Sequence, residues 1–450
     1  MENINKDRQV TFCERICYGM GDASVNVFMG VTTMFLSIYY TDVFGLSPAF
    51  IGVLFLVTRF IDAITDPWIG SLTDKYVGKL GRYRTWMKWS AIPYALSLVL
   101  VFWGPALTSE VARMVYASLT YLLLILCNAC FSVPYISLNG VITSIPEERM
   151  EINGIRFLLA TGSRLIVSIV IPILMAWFIN PQDSYRVAMI CIAILTLILA
   201  AFCIYGTNER VQNNDEHNSR LSLWQQAKAF LENDQAKIIC IFLAVVNICY
   251  TLRLGGLAYY IKYYLKQSDY MLSVFLMVSS VAGMVSPAFS VWLAKRNILK
   301  VKGLLIVSQA AGGSLMILGF WLTKDYWLIA MVLTGLITFF IEFQSAIVWS
   351  SPGNCADYGQ IKYGKNIRGA LNGALMFFLK VGMAIGGALL GFILYFYGYD
   401  AEKEVSNHQI NGFIFIVWVL PGVISLANVF LARCWVLTPE YMEKLRNKNI

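Results

Sequence analysis

The chain has 450 residues, of which 58% are hydrophobic and only 14% are charged, and its mean hydropathy is +0.62. Soluble domains carry about 25% charged residues, so too few charges remain here to cover a soluble surface. Disordered, collagen-like and disulfide-scaffold proteins are excluded for the same reason. The net charge of +8 fits basic loops on the cytoplasmic side of a membrane better than a nucleic-acid partner. The composition predicts a polytopic membrane protein.

Long hydrophobic runs follow one another along the chain and are too long for the strands of a barrel. Only helices and closed barrels satisfy the backbone in lipid, so the sequence predicts an all-α membrane protein. The twelve predicted transmembrane helices lie near 16–43, 49–74, 86–107, 111–141, 152–178, 185–206, 236–264, 270–294, 301–323, 326–352, 368–397 and 409–434. We expect an N-terminal six-helix bundle over 1–206, a cytoplasmic linker over 207–235 and a C-terminal six-helix bundle over 236–450.

The basic residues predict the orientation of these helices. The 44–49 and 104–110 connections hold no Lys or Arg. Three other connections are basic, with Lys75, Lys79, Arg82, Arg84 and Lys88 in the first, Lys295, Arg296, Lys300 and Lys302 in the second, and Lys362, Lys365 and Arg368 in the third. Basic loops stay in the cytoplasm, so both termini are predicted to be cytoplasmic. The linker segment LSLWQQAKAFLEN is expected to form a short amphipathic helix on the membrane surface.

A weak internal repeat indicates that the two halves are related. A shift of 220 residues places Asp66-Pro67 on Ser286-Pro287 and replaces Asp62 with Ala282. Arg59 becomes Ser279 under the same shift. The ionisable residues of the second helix therefore occur in one half only.

Metal and redox chemistry have little support in the sequence. The two histidines, His217 and His408, lie in polar connections, so no structural metal site can be built from them. Cys127 and Cys130 form a CxxC pair, but they lie inside the hydrophobic run 111–141. Buried thiols are expected there rather than a zinc or redox pair.

The second predicted helix carries the strongest functional pattern. Arg59, Asp62 and Asp66 are spaced at i, i+3 and i+7, which places them on one face. Charges inside a bilayer are costly, so each is a functional hypothesis. The two carboxylates, helped by the Thr65 hydroxyl, could bind a transient Na⁺ or share a proton. The structural alternative is an Arg–Asp clamp between helices.

Polar residues also recur inside other predicted spans. Asp22 and Asn26 lie one turn apart in the first helix, where Asn26 could bind a sugar hydroxyl or make an interhelical hydrogen bond. The fourth helix carries a polar stripe that faces either a wet cavity, which we favour, or another helix; its members are Asn128, Ser132, Tyr135 and Asn139.

Further charges lie in the fifth, seventh, tenth and eleventh runs. Arg156 could make bidentate bonds to hydroxyl pairs or a carboxylate, whereas Arg164 is placed less favourably and could be structural. Arg253 and Glu342 could neutralise each other or bind substrate. Lys380 lies in the middle of its run. Trp349 could stack on the apolar face of a sugar, as could Tyr250, Tyr259 and Tyr260.

Four segments resemble one family. Residues 39–86 read YYTDVFGLSPAFIGVLFLVTRFIDAITDPWIGSLTDKYVGKLGRYRTW, 18–26 read YGMGDASVN, 133–138 read VPYISL, and 349–382 read WSSPGNCADYGQIKYGKNIRGALNGALMFFLKVG. Together they are similar to the glycoside–pentoside–hexuronide:cation symporters of the major facilitator superfamily, the relatives of melibiose permease and the glucuronide carriers.

The resemblance implies two six-helix bundles around a central cavity, and transport by alternating access. No covalent chemistry and no cofactor beyond a coupling ion are implied, so the chain is expected not to be an enzyme. Asp62 and Asp66 take the positions of the cation-coupling carboxylates. Substrate binding is assigned to Asn26, Asp22, Asn128, Ser132, Tyr135, Arg156, Arg253, Trp349 and Lys380. Structural or gating roles are assigned to Arg59, Asp357 and Glu342.

Departures from the family pattern refine these expectations. Melibiose permease has Asp where this chain has Asn26 and Ser132, which leaves spare positive charge and favours an anionic sugar. Its Na⁺ site adds an Asn and a Thr, and Thr65 and Ala129 stand here, which favours H⁺. The alternatives are a Na⁺-coupled neutral glycoside symporter and, less favoured, a lipid or lysolipid transporter. We expect a monomer in the bacterial cytoplasmic membrane, whose partners are a sugar, a cation and lipid, without nucleic acid.

Overall fold

The computed structural model describes residues 10–75, 78–143, 146–178, 180–210, 223–322, 326–363, 368–401, 403–438 and 441. Long helices account for nearly all regular structure in those ranges, so the all-α prediction is confirmed. The helices of the first half are α1 (Phe12–Met34), α2 (Pro48–Lys75), α3 (Tyr83–Val101), α4 (Glu110–Ile142), α5 (Pro146–Ala176) and α6 (Pro181–Gly206).

The second half repeats this arrangement after a short linker helix. Its elements are α7 (Leu223–Glu232), α8 (Asp234–Tyr259), α9 (Asp269–Lys295), α10 (Val301–Leu322), α11 (Trp327–Ile341), α12 (Ser345–Tyr363), α13 (Arg368–Phe396), α14 (Asn407–Ile414) and α15 (Leu420–Cys434). One turn of 3₁₀-helix, Glu342–Gln344, joins α11 to α12. One turn of π-helix, Phe415–Val419, joins α14 to α15.

The described residues reach the predicted twelve spans only when α3 and the bent first helix are both counted. By length and apolar composition the described residues contain ten helices able to cross a membrane, or up to eleven with the bent pair Phe12–Met34 and Leu36–Val43. The 19-residue helix α3 falls outside that count because it begins with Arg84 and Lys88. With α3 the predicted twelve is reached. Exposed side chains such as Trp68 and Phe430 are expected on surfaces that face lipid.

Several helix boundaries differ from the sequence prediction, and two of them lie at charged helix ends. The tenth predicted run ends at 352, but its helix continues as α12 to Tyr363, so Lys362 lies in the helix rather than in a loop. The third run is predicted to begin at 86, and α3 begins at Tyr83. In both places polar residues extend a helix beyond its apolar part, which a hydropathy pattern cannot detect.

The chain divides into two compact units after α6. The first unit also includes two short segments of the second half, Gln267–Met277 at the beginning of α9 and Asp400–Glu404. In the first unit α1 packs on α5 and α6, and α3 packs on α4. In the second unit α8 packs on α13, and α10 packs on α11 and α15. The first helix of each half therefore packs on the fifth, and the third packs on the fourth.

The end of the first helix in each half has the same local structure. A single wide turn of π-helix occupies Tyr39–Val43 in one half and Tyr260–Tyr264 in the other. Each is followed by a residue with positive φ, Gly45 at 67° and Lys266 at 50°. This correspondence supports the internal repeat seen in the sequence.

The linker helix α7 is where the amphipathic segment was predicted. Ala229 is buried and Leu231 is exposed. Phe230 lies 6.1 Å, ring centre to ring centre, from Phe378 of α13. The helix therefore packs on the second unit by one face.

Two carboxylates, those of Glu14 and Glu209, stabilise the contacts between helix ends and the segment that follows α6. Both Nη atoms of Arg210 donate to Glu14 of α1 at 2.8 Å, and these hydrogen bonds raise the pKa of the Arg210 guanidinium above its ordinary value. Glu209 accepts from the backbone N–H groups of Arg82, Tyr83 and Arg84 at 2.8, 2.9 and 2.9 Å. Those N–H groups have no partner within α3 itself, so Glu209 caps the beginning of this helix.

Candidate functional site

A buried ion pair joins α1 to α5 in the first unit. Asp22 Oδ2 lies 3.4 Å from Arg156 Nε, and the two side chains are 16% and 14% exposed. The helices can approach closely because Gly19 has no Cβ, and one built there would lie 3.3 Å from the Arg156 Cα. Asp22 therefore partly compensates the charge of Arg156 within the first unit.

Asn26 lies one turn beyond Asp22 on the same helix. Its Nδ2 donates to the Asp22 carbonyl oxygen at 2.9 Å. This bond fixes the amide and leaves Oδ1 as the atom that can accept from a ligand hydroxyl. The hydrogen bond from Asn26 Nδ2 is therefore made within α1 and not to another helix, as the interhelical alternative requires.

Two tyrosine rings pack beside the Asp22–Arg156 pair. Tyr18 stacks on Tyr135 with 4.8 Å between ring centroids and an interplanar angle of 21°, and its hydroxyl donates to the Tyr135 carbonyl oxygen at 3.4 Å. Gly21 makes room for the second ring, because a Cβ there would lie 2.5 Å from Tyr135. Sequence reasoning missed Tyr18, although Tyr18, Asp22 and Asn26 recur at i, i+4 and i+8.

The polar stripe of α4 divides into two parts. Asn139 Nδ2 donates to Asn153 Oδ1 of α5 at 2.8 Å, so this end serves the interhelical contact that was the less favoured alternative. Asn128 is 9% exposed, and its Oδ1 is buried without a hydrogen bond in the described structure. Ser132 is half-buried. Asn128, Ser132 and Tyr135 remain as predicted ligand residues.

The acidic helix α2 carries a second buried pair. Asp62 Oδ2 lies 3.7 Å from Arg59 Nη1, with the Asp62 side chain 1% exposed and that of Arg59 7% exposed. The Thr65 hydroxyl donates to the Asp62 carbonyl oxygen at 3.1 Å, and Asp66 is half-buried. The Arg59–Asp62 contact joins two residues of one helix, whereas the clamp alternative requires a contact between two helices. Asp66 lies one turn further along.

In the second unit Arg253 and Glu342 do not neutralise each other. Arg253 Nη1 donates to the Thr338 hydroxyl at 3.2 Å and Nη2 to the Thr334 carbonyl oxygen at 2.9 Å, while the Glu342 carboxylate accepts from the Ser345 hydroxyl. The pairing alternative for Arg253 and Glu342 is therefore wrong for this structure. Glu342 begins the tight turn between α11 and α12, where its carboxylate bonds locally.

The remaining predicted residues of the second unit lie on α12 and α13. Trp349 and Asp357 on α12 and Lys380 on α13 are all half-buried. Lys380 lies on the helix that packs most extensively on α8.

A polar cluster at the beginning of α8 was not predicted. Asp234 Oδ1 accepts from the hydroxyls of Tyr358 and Tyr363 at 3.0 and 3.2 Å, and Lys362 Nζ lies 3.6 Å away. The sequence analysis assigned gating to Asp357, and its neighbour Tyr358, together with Tyr363, joins α12 to α8. The available signal was the Asp-Tyr-Gly signature, in which both residues occur.

Asp62 and Asp66 are the residues that would hold the coupling cation. Within the described ranges no three or more His, Cys, Asp or Glu side chains come together as a metal site. Asp62 and Asp66 supply two carboxylates. This donor set is sufficient for a proton, whereas a metal ion needs further oxygen ligands.

Comparison with known proteins identifies the family. Residues 17–438 match the family model described as MFS/sugar transport protein. The isoprimeverose transporter of Lactiplantibacillus pentosus is 29% identical over 98% of this chain and 92% of its own length. The inner membrane symporter YicJ of Escherichia coli (strain K12) is 28% identical over 95% and 92%. The glucuronide carrier protein homolog of the same strain is 26% identical over 94% and 93%.

Solved structures confirm the fold. A mutant of the nucleoside transporter NupG superposes with a TM-score of 0.68 over 94% of this chain and 99% of its own, at 13% sequence identity. The family match and the curated relatives identify the chain as a membrane transporter of the major facilitator superfamily rather than an enzyme. Within that superfamily the chain belongs to the sugar transport family of the glycoside–pentoside–hexuronide:cation symporters, as its four sequence segments indicated.

Proposed function

We propose that this protein is a sugar:cation symporter of the bacterial cytoplasmic membrane, with both termini in the cytoplasm. The observation that carries the proposal is a set of buried charges in the first unit, the Arg59–Asp62 and Asp22–Arg156 pairs. Charges inside transmembrane helices are costly and mark ion and substrate pathways. Two relatives that align over nearly the whole chain also support it, the inner membrane symporter YicJ and the isoprimeverose transporter.

In this proposal the coupling cation binds at Asp62 and Asp66 of α2. We propose H⁺ rather than Na⁺, because a carboxylate pair can hold a proton by itself. Thr65 donates its hydroxyl proton to the backbone, and its oxygen is the one neutral side-chain ligand that we propose beside the two carboxylates. Ala129 is buried and offers no side-chain oxygen where the Na⁺-coupled relatives have one.

The sugar contacts Asn26, Asn128, Ser132 and Arg156 in the first unit, with Tyr135 beside them. Hydrogen bonds to the substrate hydroxyls come from the amides, the serine and the guanidinium. Trp349 and Lys380 are the ligands that we propose in the second unit. Cation and sugar raise each other's affinity by the same factor, as linkage requires.

We further propose that the transported sugar is anionic, such as a hexuronide. The charge of Arg156 is met by Asp22, whereas Arg253 in the second unit bonds to neutral partners among the described residues, which favours an anionic ligand. The similarity to a glucuronide carrier homolog supports this substrate class. The competing candidate is a Na⁺-coupled neutral glycoside symporter.

The test is ligand binding to the purified protein, followed by thermal shift and calorimetry. Hexuronides and the matching neutral glycosides are compared at two pH values, with and without Na⁺. We expect stabilisation by the hexuronide, indifferent to Na⁺. Stabilisation by the neutral glycoside only in the presence of Na⁺ would refute both the anionic substrate and the proton coupling.

A further inference from the structure

Arg253 is a buried cation whose hydrogen-bond partners are all neutral. Its side chain on α8 is 7% exposed, and it donates to the hydroxyl of Thr338 and the carbonyl of Thr334, both on α11. No carboxylate pairs with Arg253 in the described part of the chain. A buried charge without a counter-ion is strongly unfavourable, so its presence requires an explanation.

Two arginines inside the predicted spans of the first unit differ from Arg253 in having a carboxylate beside them. Arg59 lies beside Asp62 and Arg156 beside Asp22, at 3.7 and 3.4 Å. Both lie in the first unit, which supplies its own counter-ions. Arg253, in contrast, has no carboxylate beside it among the described residues of the second unit.

Unused hydrogen-bonding groups surround this guanidinium. Its Nε–H is buried and has no acceptor in the described structure, and the Thr334 hydroxyl is likewise buried without a partner. The planar Nε–Nη edge of a guanidinium matches the two oxygens of a carboxylate. The unpaired Nε–H leaves that edge available for a ligand.

The neighbouring helix α9 adds a further hydroxyl. A Cβ built on Gly283 would lie 3.6 Å from Thr338 Cγ2, and one built on Gly335 would lie 2.7 Å from Val278, so α9 packs closely on the part of α11 that holds Arg253. Ser279 follows Val278 on α9, is 6% exposed, and its hydroxyl has no partner among the described residues.

The internal repeat relates α9, beside Arg253, to the acidic helix α2 of the first unit. Under the shift of 220 residues, Ser279, Ala282 and Ser286 of α9 correspond to Arg59, Asp62 and Asp66 of α2. The helix that carries the carboxylates in the first unit is thus uncharged at these positions in the second. It packs there beside α11, which holds a guanidinium from α8. The two halves present opposite charges at related positions.

We propose that Arg253, assisted by the hydroxyls of Thr334 and Ser279, binds the carboxylate of the transported sugar acid. Thr338, whose hydroxyl donates to the Thr334 carbonyl oxygen, accepts from the guanidinium and positions it. This inference rests on the proposed anionic substrate and assigns its acidic group to the second unit. The substrate carboxylate supplies the counter-ion that the protein lacks. A neutral glycoside has no group that can do so.

The test compares two ligands that differ only at C6, 4-nitrophenyl β-D-glucuronide and 4-nitrophenyl β-D-glucoside, alongside the corresponding galacto pair. Calorimetry on the full-length protein in nanodiscs measures both affinities for wild type, Arg253→Gln, Arg253→Lys and Thr338→Val. Arg433→Gln, which alters an exposed arginine at the end of α15, is the matched control.

We expect Arg253→Gln to weaken uronide binding about tenfold to a hundredfold, the range for a hydrogen bond to a charged group. Neutral glycoside binding should stay within about twofold. Arg253→Lys should retain part of the uronide affinity because it keeps the charge, and Arg433→Gln should match wild type. If Arg253→Gln does not fold, the lysine and Thr338→Val variants carry the comparison, each with a smaller loss specific to the uronide.

The following results would overturn the inference. Uronide affinity unchanged in the Arg253 variants, or equal losses for both ligands, would make Arg253 structural. Recovery of uronide binding in Arg253→Gln/Glu342→Gln would make Glu342 the true counter-ion in another state of the protein. A wild-type protein that prefers the neutral glycoside would refute the proposed substrate class itself. A wild-type preference for the uronide that survives in Arg253→Gln would refute only the inference.

Discussion

The Asp22–Arg156 pair allows the structural and ligand-binding roles of a buried arginine to be separated. At 3.4 Å and an effective dielectric constant of 20, two unit charges attract by about 5 kcal/mol. The side chains are 14% and 16% exposed, and solvent and desolvation reduce the net coupling to about 2–3 kcal/mol. Asp22→Asn and Arg156→Gln should each destabilise the protein by about that amount, because each leaves one buried charge unpaired.

The double variant Asp22→Asn/Arg156→Gln should recover most of the lost stability, since two amides can hydrogen-bond where the ions stood. Thermal unfolding of all four proteins in the same detergent measures this coupling. Sugar binding, measured in parallel, should remain weak in the double variant if Arg156 also contacts the ligand. Destabilisations that simply add, with a coupling below about 0.5 kcal/mol, would refute the ion-pair argument. Wild-type sugar affinity in the double variant would make Arg156 structural only.

Three further predictions follow from other parts of the first unit. Asp66→Asn should abolish accumulation of sugar against a gradient, measured in proteoliposomes, and intact accumulation would contradict the cation site. Gly21→Ala places a Cβ 2.5 Å from Tyr135, so sugar affinity should fall about tenfold; Gly162→Ala, with nothing within 4 Å, should bind normally. Glu209→Gln weakens the cap of α3 and should cost about 1 kcal/mol of unfolding free energy, whereas an unchanged melting temperature would show that the cap contributes nothing.

The sequence predicts the helices well because each span must be apolar over its whole length. Its errors are at helix ends. Arg84 in α3 and Lys362 in α12 extend a helix beyond the apolar run, because a helix end is decided by capping and not by hydropathy. Glu209 caps α3 from 125 residues away along the chain, and no local pattern reveals such a contact.

The candidate site was predicted less completely than the fold. Residue type and helical spacing identified Asp22, Asn26, Asp62 and Arg156 as buried polar groups. Which charges pair is decided by the packing of helices distant in sequence, so the pairing of Arg156 with Asp22 was not predicted.

Aromatic and turn residues were harder still to predict. Tyr18 looked like one more aromatic residue in an apolar run until its stacking on Tyr135 was seen. Glu342 looked like a partner for Arg253, but the tight turn that begins at Glu342 directs its carboxylate to Ser345. Side-chain direction at a break in a helix does not follow from regular helical periodicity.

Transport by the purified protein in proteoliposomes tests the central claim most directly. Uptake of a radiolabelled hexuronide and of the matching neutral glycoside is measured under an imposed pH gradient without Na⁺, and under a Na⁺ gradient at uniform pH. The account predicts that the pH gradient drives accumulation of the hexuronide, that a protonophore abolishes it, and that Na⁺ has no effect. Accumulation of the neutral glycoside driven by Na⁺ alone would contradict it.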